Sequence, residues 1–408
     1  MLTKEQKEQF NGILEELGKN LDISEAQYNT VVKSYEAVGL HLAKHDSILG
    51  KYNPEILPQG SFMLGTMIKP VNENDDLDID LVCQLTGKVK SWTQYDLKQA
   101  VGDQLRSHGT YNAMIKRPEG RRCWTLVYSD AANYHLDILP CIVDAGYRIL
   151  LEKAFSHTEL KNLNELAIRI TDRQLENYKT ETNHLAWLKS NPFGYGRWFF
   201  QQATLDFVKS FSINEAIEPV PPYNSEKLPL QRIVQILKRH RDIMFNGNED
   251  KPISIIITTL AAKAYEKQTD VLSGLLDVVE RMALFIEDRY DYATGKTIKW
   301  ISNPVNEEEN YADKWVTTPA KQENFFKWMK QLKSDLQHIT AQRGMHNLKE
   351  AFAVPFGKDT ISKAFSNIGE KVLYERESGG MRMAAVTGTL GSIGSSIKQH
   401  TNHGQKEE

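Results

Sequence analysis

Two aspartates sit one residue apart inside the otherwise apolar run Leu77–Leu85, "LDIDLVCQL". Leu77, Ile79, Leu81 and Cys83 alternate with Asp78, Asp80 and Val82. In a strand, side chains at i and i+2 share a face, roughly 6.6 Å apart along the backbone. Asp78 and Asp80 therefore project together from a strand whose other face is apolar. Two bare carboxylates this close repel each other, and an apolar setting makes the repulsion costlier. A divalent cation removes the problem. Magnesium prefers carboxylates, waters and substrate phosphate oxygens to an all-protein cage. The pair points to a metal–nucleotide site.

A third acid, Asp137, lies between Leu136 and Ile138 in a second alternating run, "YHLDILPCIV". If this strand neighbours the first, three carboxylates converge, an arrangement suited to two metals. Asp137 is also a candidate general base for an attacking hydroxyl. Upstream, Gly60 lets a phosphate approach its backbone, Ser61 offers a hydroxyl, and "FMLGTMI" can begin a helix whose free amides face an anion. A Gly-Ser dipeptide alone is a turn, and Asp-x-Asp alone is a solvated strand face. "NENDD", with Asp75 and Asp76, reads as a plain acidic loop. The combination of all three elements carries the signal.

The rest of the chain frames this segment. Thr3 with Gln6 and Ser24 with Gln27 are capping boxes for two N-terminal helices, the second striped by Tyr28, Val31, Tyr35, Val38 and Leu42. From Tyr52 to Asp144 the period is strand-like, with "SDAAN" as a hairpin connection before Tyr134. From Phe155 onward helices dominate, and the Gly/Ser-rich end reads as a loose tail. The expected divisions are 1–50 (N-terminal helices), 51–150 (core with the carboxylates), 151–375 (a mainly helical lobe over the cleft) and 376–408 (tail). A net charge of −3 over 408 residues argues against constitutive binding to bulk nucleic acid. Three cysteines without a CxxC pair argue against a disulfide framework and suit a reducing cytosol. The polar N-terminus and the lack of an apolar run near 18 residues lead to the expectation of a cytoplasmic protein with no signal peptide and no membrane span.

"GSFMLGTMIKP", "LDIDLVCQL" and "YHLDILPCI" resemble the nucleotidyltransferases of the DNA-polymerase-β superfamily. With "SNPFGYGRWF", "LQRIVQILKRHRD", "PISIIITTLAA" and "NPVNEEENYADKW", the chain from about residue 50 to 340 more closely resembles the bacterial cGAS/DncV-like nucleotidyltransferases (CD-NTases), signalling synthases of CBASS anti-phage defence. The resemblance implies an α+β, two-lobed fold: a polymerase-β-like core of mixed sheet and helices, a helical C-terminal lobe and an N-terminal spine helix. It implies synthesis of a cyclic di- or trinucleotide from ATP, with or without a second nucleoside triphosphate. Asp78, Asp80 and Asp137 match the metal-binding catalytic acids, for two Mg2+ with Mn2+ as a substitute. Gln59, Gly60 and Ser61 match the phosphate-binding turn, and Lys238 and Ser254 match residues at the donor triphosphate. Arg122, just before a strand, is a further triphosphate contact. From its sequence alone, without the resemblance, Lys238 in "KRHR" reads rather as part of a solvated helix face.

An accessory or activator protein of the defence system is an expected partner. Activation by double-stranded DNA is not, since no zinc-ribbon insertion is found, and the terminal "GQKEE" does not suit C-terminal conjugation. Asn303, Asn310 and Asp313 are candidates for reading base edges. Two other functions share the core: a nucleotidylating enzyme that modifies a protein or RNA, and a catalytically silent nucleotide sensor. The long helical half favours the synthase over the first, and retention of all three carboxylates disfavours the second.

Overall fold

The computed structural model describes residues 2–72, 76–129, 133–155, 162–205, 223–292, 295–378, 382–383, 390–391 and 395–396. Both N-terminal capping boxes form as their spacing predicts, on α1 (Lys4–Leu21) and α2 (Glu25–Leu42). Then come β1 (Glu55–Pro58), the one-turn α3 (Gly60–Met63), β2 (Leu77–Thr86), α4 (Gln94–Arg106), α5 (Gly109–Met114), β3 (Trp124–Tyr128), β4 (Tyr134–Val143) and α6 (Tyr147–Phe155). Two short strands follow, β5 (Ile168–Ile170) and β6 (Leu188–Ser190). The helical half comprises α7 (Pro192–Ala203), α8 (Pro229–Phe245), α9 (Ser254–Ala264) and α10 (Val271–Arg281). It continues, after the strands β7 (Glu287–Asp291), β8 (Lys296–Trp300), β9 (Ser302–Asn303) and β10 (Asn306–Asn310), with α11 (Asp313–Thr317), α12 (Pro319–Ala341), α13 (Met345–Phe356) and α14 (Lys358–Glu377). No helix among the described residues is long and apolar enough to cross a membrane.

The central sheet has six strands in the order β1-β2-β4-β5-β6, with β3 also on β4. β2 and β4 run parallel, and every other pair in this sheet is antiparallel. Alternation gives the sheet two different faces. Ile79, Leu81, Cys83 and Leu85 pack with Leu136, Ile138 and the apolar stripe of α2. Val82, Leu139, Cys141 and Val143 pack with α1 and the helical half. By the same alternation Asp78, Asp80 and Asp137 stand on this second face, near the strand starts.

The helical expectation for the second half misses several strands. β5 and β6 extend the central sheet, and β7–β8 and β9–β10 are antiparallel pairs. β5, β6 and β9, of two or three residues, are too short to show a period. The expected hairpin connection falls on residues 130–132, outside the described residues, although β3 and β4 do pair antiparallel as it requires. Most of the expected tail also lies outside them; within it Arg382–Met383 (β11) pairs with Leu390–Gly391 (β12) and Ser395–Ser396 (β13). Glycine and serine are turn residues as well as linker residues, so composition alone does not separate a loose end from short paired strands.

The two N-terminal helices divide between two cores. α1 buries Phe10, Ile13, Leu14, Leu17 and Leu21 with the helical half, whereas α2 buries Val31, Tyr35, Val38 and Leu42 against the sheet. At the joint, Asp22 is buried. Its Oδ2 accepts from Arg232 Nη1 at 2.7 Å, and its Oδ1 accepts from Gln235 Nε2 at 2.8 Å and lies 3.1 Å from Lys227 Nζ. Removing one partner of a buried pair leaves the other charge uncompensated. Asp22→Ala is expected to cost about 3–5 kcal/mol, whereas Arg148→Ala, at the exposed Arg148–Glu152 pair, should leave stability nearly unchanged. Denaturant midpoints check this, and equal midpoints for the two variants would refute it.

Candidate active site

The parallel register of β2 and β4 places Asp80 directly opposite Asp137 and Asp78 opposite His135. The convergence expected of the three carboxylates is met. Asp137 Oδ1 accepts the Thr125 hydroxyl at 2.5 Å, which leaves Oδ2 for other work. Asp78 is exposed and lies 3.9 Å from His135 Nδ1, which also sits 3.4 Å from Asp76. Asp76 thus has a partner beside the site, whereas Asp75 lies outside the described residues. Burial, reinforced by the charges of Asp137 and Asp78, pushes the Asp80 carboxyl up to about 7. Burial likewise raises Asp78.

Gly60 begins α3 with φ +59°, a left-handed conformation, and a Cβ there would lie 2.7 Å from Asp80 Oδ2. The Gln59 amide donates to the Asp80 carbonyl at 2.8 Å. The phosphate turn is therefore seated on the carboxylate strand itself. Glycine is required twice, by backbone conformation and by contact with Asp80.

The opposite wall comes from α8 and α9. The solvated-face alternative for "KRHR" is excluded: Lys238, Arg239, His240 and Arg241 are 4%, 3%, 1% and 6% exposed. His240 Nε2 meets Asp335 at 2.9 Å while its Nδ1 accepts from Trp328 Nε1. The others face the site or the loop beside it. Along α8, Gln231, Gln235, Lys238 and Arg239 donate to the carbonyls of Leu64, Met67, Thr66 and Lys69 at 2.7–3.1 Å. Lys227 donates to Gly65 O at 2.8 Å. Arg241 Nη1 donates to Ser254 Oγ at 2.9 Å and to Pro252 O, so the Ser254 hydroxyl keeps its own proton free to donate.

A cavity of about 700 Å³ is lined by Gln59, Gly60, Ser61, Asp78, Asp80, Lys238 and Ser254 together. Arg122 is not among its lining residues; its Nε donates to the buried Asp172 at 2.9 Å, beside Arg121. Of the three base-reading candidates, Asn303 lines the cavity. Asn310 instead bonds backbone groups of Ile301, Lys299 and Ala312, and Asp313 sits at the start of α11 with its Oδ1 on the Lys314 amide. Sequence reasoning missed Glu309, Tyr311 and Tyr195, which also line the cavity. Glu309 lay hidden in the acidic run "NEEEN", where nothing local separates one glutamate from its neighbours.

Among the described residues no three His, Cys, Asp or Glu side chains form a ready-made cation cage. Magnesium does not need one, because water and substrate phosphate complete its shell.

A parallel strand pair carrying facing carboxylates, a glycine-serine turn against one of them and a lysine-serine wall opposite define a nucleotidyltransferase. Residues 9–154 match the Second Messenger Oligonucleotide or Dinucleotide Synthetase domain family. It is 27% identical over 383 residues to a c-di-GMP synthase of Roseivirga ehrenbergii, covering 93% of this chain and 92% of that protein. Among solved structures, the CD-NTase CdnG of Bradyrhizobium diazoefficiens in complex with GTP superposes with a TM-score of 0.63 at 19% identity, over 88% of this chain and 99% of that one. Vibrio cholerae DncV, the cyclic AMP-GMP synthase, gives 0.51 at 14% identity, over 88% and 91%. At these identities the structures speak to the fold, which is the polymerase-β-like core with helical extensions.

Burial, with the neighbouring Arg241 charge, depresses Lys238 to about 7 from 10.5. Below pH 7 the ammonium is charged in both states and the cost of burying it is carried in full. Between pH 7 and 10.5 the folded chain has released a proton that the unfolded chain keeps, so stability rises with pH. Relative to Lys238→Met, the wild type is expected to gain at most about 1.4 kcal/mol per pH unit across this window. Denaturant titrations of both at pH 7.5 and 9.5 read the difference, and parallel profiles would show that burial does not depress Lys238.

Proposed function

We propose that this protein joins nucleoside triphosphates into a cyclic di- or trinucleotide second messenger, releasing pyrophosphate, as a synthase of CBASS anti-phage defence. The observation that carries this is the register of Asp80 against Asp137 with the Gly60–Ser61 turn resting on Asp80, where Gly60, Ser61, Asp78 and Asp80 line a cavity whose size suits a nucleotide. Synthase relatives matched over nearly their whole length support the same activity rather than modification of a macromolecule.

The three acids fit divalent cations. Their donor set is all oxygen, and the charged form of Asp80 is disfavoured by burial and then by its acidic neighbours until a counter-charge arrives. Two Mg2+ ions, or Mn2+, held by Asp78, Asp80 and Asp137, would lower the pKa of the attacking hydroxyl and neutralise the departing pyrophosphate. The protein's own groups do the rest. Gly60 and Ser61 hold the donor's β- and γ-phosphates from the sheet side, and Lys238 and the Ser254 hydroxyl hold them from the helical side. Asp137 Oδ2 takes the proton of the acceptor's ribose hydroxyl. That oxygen bonds to the donor α-phosphorus as the α–β bridging bond breaks, and pyrophosphate carries away the electron pair. A second transfer closes a dinucleotide ring, and a third closes a trinucleotide ring, each releasing one pyrophosphate. An accessory protein of the defence system is the partner expected to switch the enzyme on.

Mass spectrometry of products from purified protein, nucleoside triphosphates and Mg2+ tests the proposal; labelled macromolecules in place of small nuclease-resistant products would overturn it. For Asp78→Asn/Asp80→Asn, product is expected to disappear. In metal-free buffer the melting temperature holds or rises, because repulsion is removed. The rise in melting temperature that Mg2+ gives the wild type should be absent from the variant. Near-normal synthesis by this variant would remove both residues from the chemistry.

A further inference from the structure

The cavity wall beyond the phosphate-binding groups carries a carboxylate that the transfer chemistry does not use. Glu309, on β10, lines the cavity, and its Oε2 accepts from Asn303 Nδ2 at 2.7 Å. Asn303 is itself buried, and its Oδ1 accepts from the Val305 amide at 3.0 Å. That bond fixes the amide so that its NH2 faces Glu309 and orients the carboxylate. Among the described residues no lysine or arginine forms an ion pair with Glu309. An uncompensated anion in a cleft built for polyanionic triphosphates repels them unless it lies where the phosphates do not.

α9 supplies the ruler. Ser254, at the phosphate end, is its first residue; Thr259 meets the Tyr195 hydroxyl at 2.9 Å; and Lys263 donates to the Ser302 carbonyl, next to Asn303. Nine residues at 1.5 Å each put Lys263, which holds the Ser302 carbonyl, roughly 13 Å along α9 from Ser254. This is the span a nucleotide needs to run from its outer phosphates to its base. Tyr195 and Tyr311, edge to face with ring centroids 6.4 Å apart, line the cavity between.

We propose that Glu309, oriented by Asn303, selects guanine as the base of the nucleotide whose triphosphate lies at Lys238 and Ser254. This rests on the nucleotidyl-transfer function proposed above. Guanine presents two adjacent donors, N1–H and the N2 amino group, and a carboxylate accepts both at once in charge-assisted bonds. Oε2 retains a lone pair after accepting from Asn303. Adenine turns its N1 lone pair toward the carboxylate and leaves two acceptors face to face. Uracil has one N–H between two carbonyls, and cytosine sets its amino group beside an acceptor. An acceptor left unpaired against the base edge rejects a base more strongly than shape does.

The test is calorimetric titration of the full chain, with Mg2+, using α,β-methylene analogues of GTP, ITP and ATP, which bind without turnover. Wild type should prefer GTP to ATP by about ten-fold or more. ITP, which lacks the N2 amino group, should fall between. Glu309→Gln places an NH2 against the base edge; it should lose about ten-fold for GTP, leave ATP unchanged or improved, and erase the gap between GTP and ITP. Glu309 is exposed, so its melting temperature should not move. A wild type that binds all three equally would overturn the guanine assignment and leave nucleotidyl transfer standing, as would Glu309→Gln with unchanged ratios. Failure of the wild type to bind any of the three would overturn both.

Discussion

Five consecutive or near-consecutive carbonyls, from Leu64 to Lys69, are held by side chains from α8 and the residue Lys227 just before it. A loop running between two packed halves cannot leave these groups unpaired, and no strand or helix is there to satisfy them. The clamp fixes the segment that leaves the phosphate turn and enters the carboxylate strand. It also welds the helical half to the sheet. The cleft is thus defined by the same hydrogen bonds that close the fold, and Lys238 belongs to both: it bonds the Thr66 carbonyl and faces the charge of Asp80.

The sheet's two faces explain why the acids can be where they are. Further along β2 and β4 the face of Asp80 and Asp137 is filled by Val82, Leu139 and Cys141 against helices. At the strand starts that covering stops and the cleft opens. One face therefore passes from core to active site within two residues, so packing on Val82 and Leu139 holds the carboxylates without a scaffold of their own.

The core of the site was legible because its signals are local. Alternation in "LDIDLVCQL" and "HLDIL" gave the strands, the shared face and the aspartates, and the neighbouring of β2 and β4 supplied what periodicity could not. The capping boxes at Thr3 and Ser24 were equally local. What could not be read were pairings between residues far apart. "KRHR" looked solvated because its acceptors lie on a loop some 170 residues upstream and on α12. Arg122 gave no sign of Asp172, 50 residues on. β5 and β6, at three residues each, have too little length to show alternation, yet they complete the sheet.

The residues that carry the family resemblance most clearly, 9–154, do not coincide with a unit that can fold. That span includes most of α1, whose Phe10, Ile13, Leu14, Leu17 and Leu21 are buried among helices of the later half, and it includes Asp22 without Arg232, Lys227 or Gln235. Cut at residue 154, the piece would present an apolar helix face and an acid stripped of its cations to water. The boundary of the matched family domain and the boundary of what is stable by itself are different lines in this chain. A transplanted catalytic core would have to bring α8 with it.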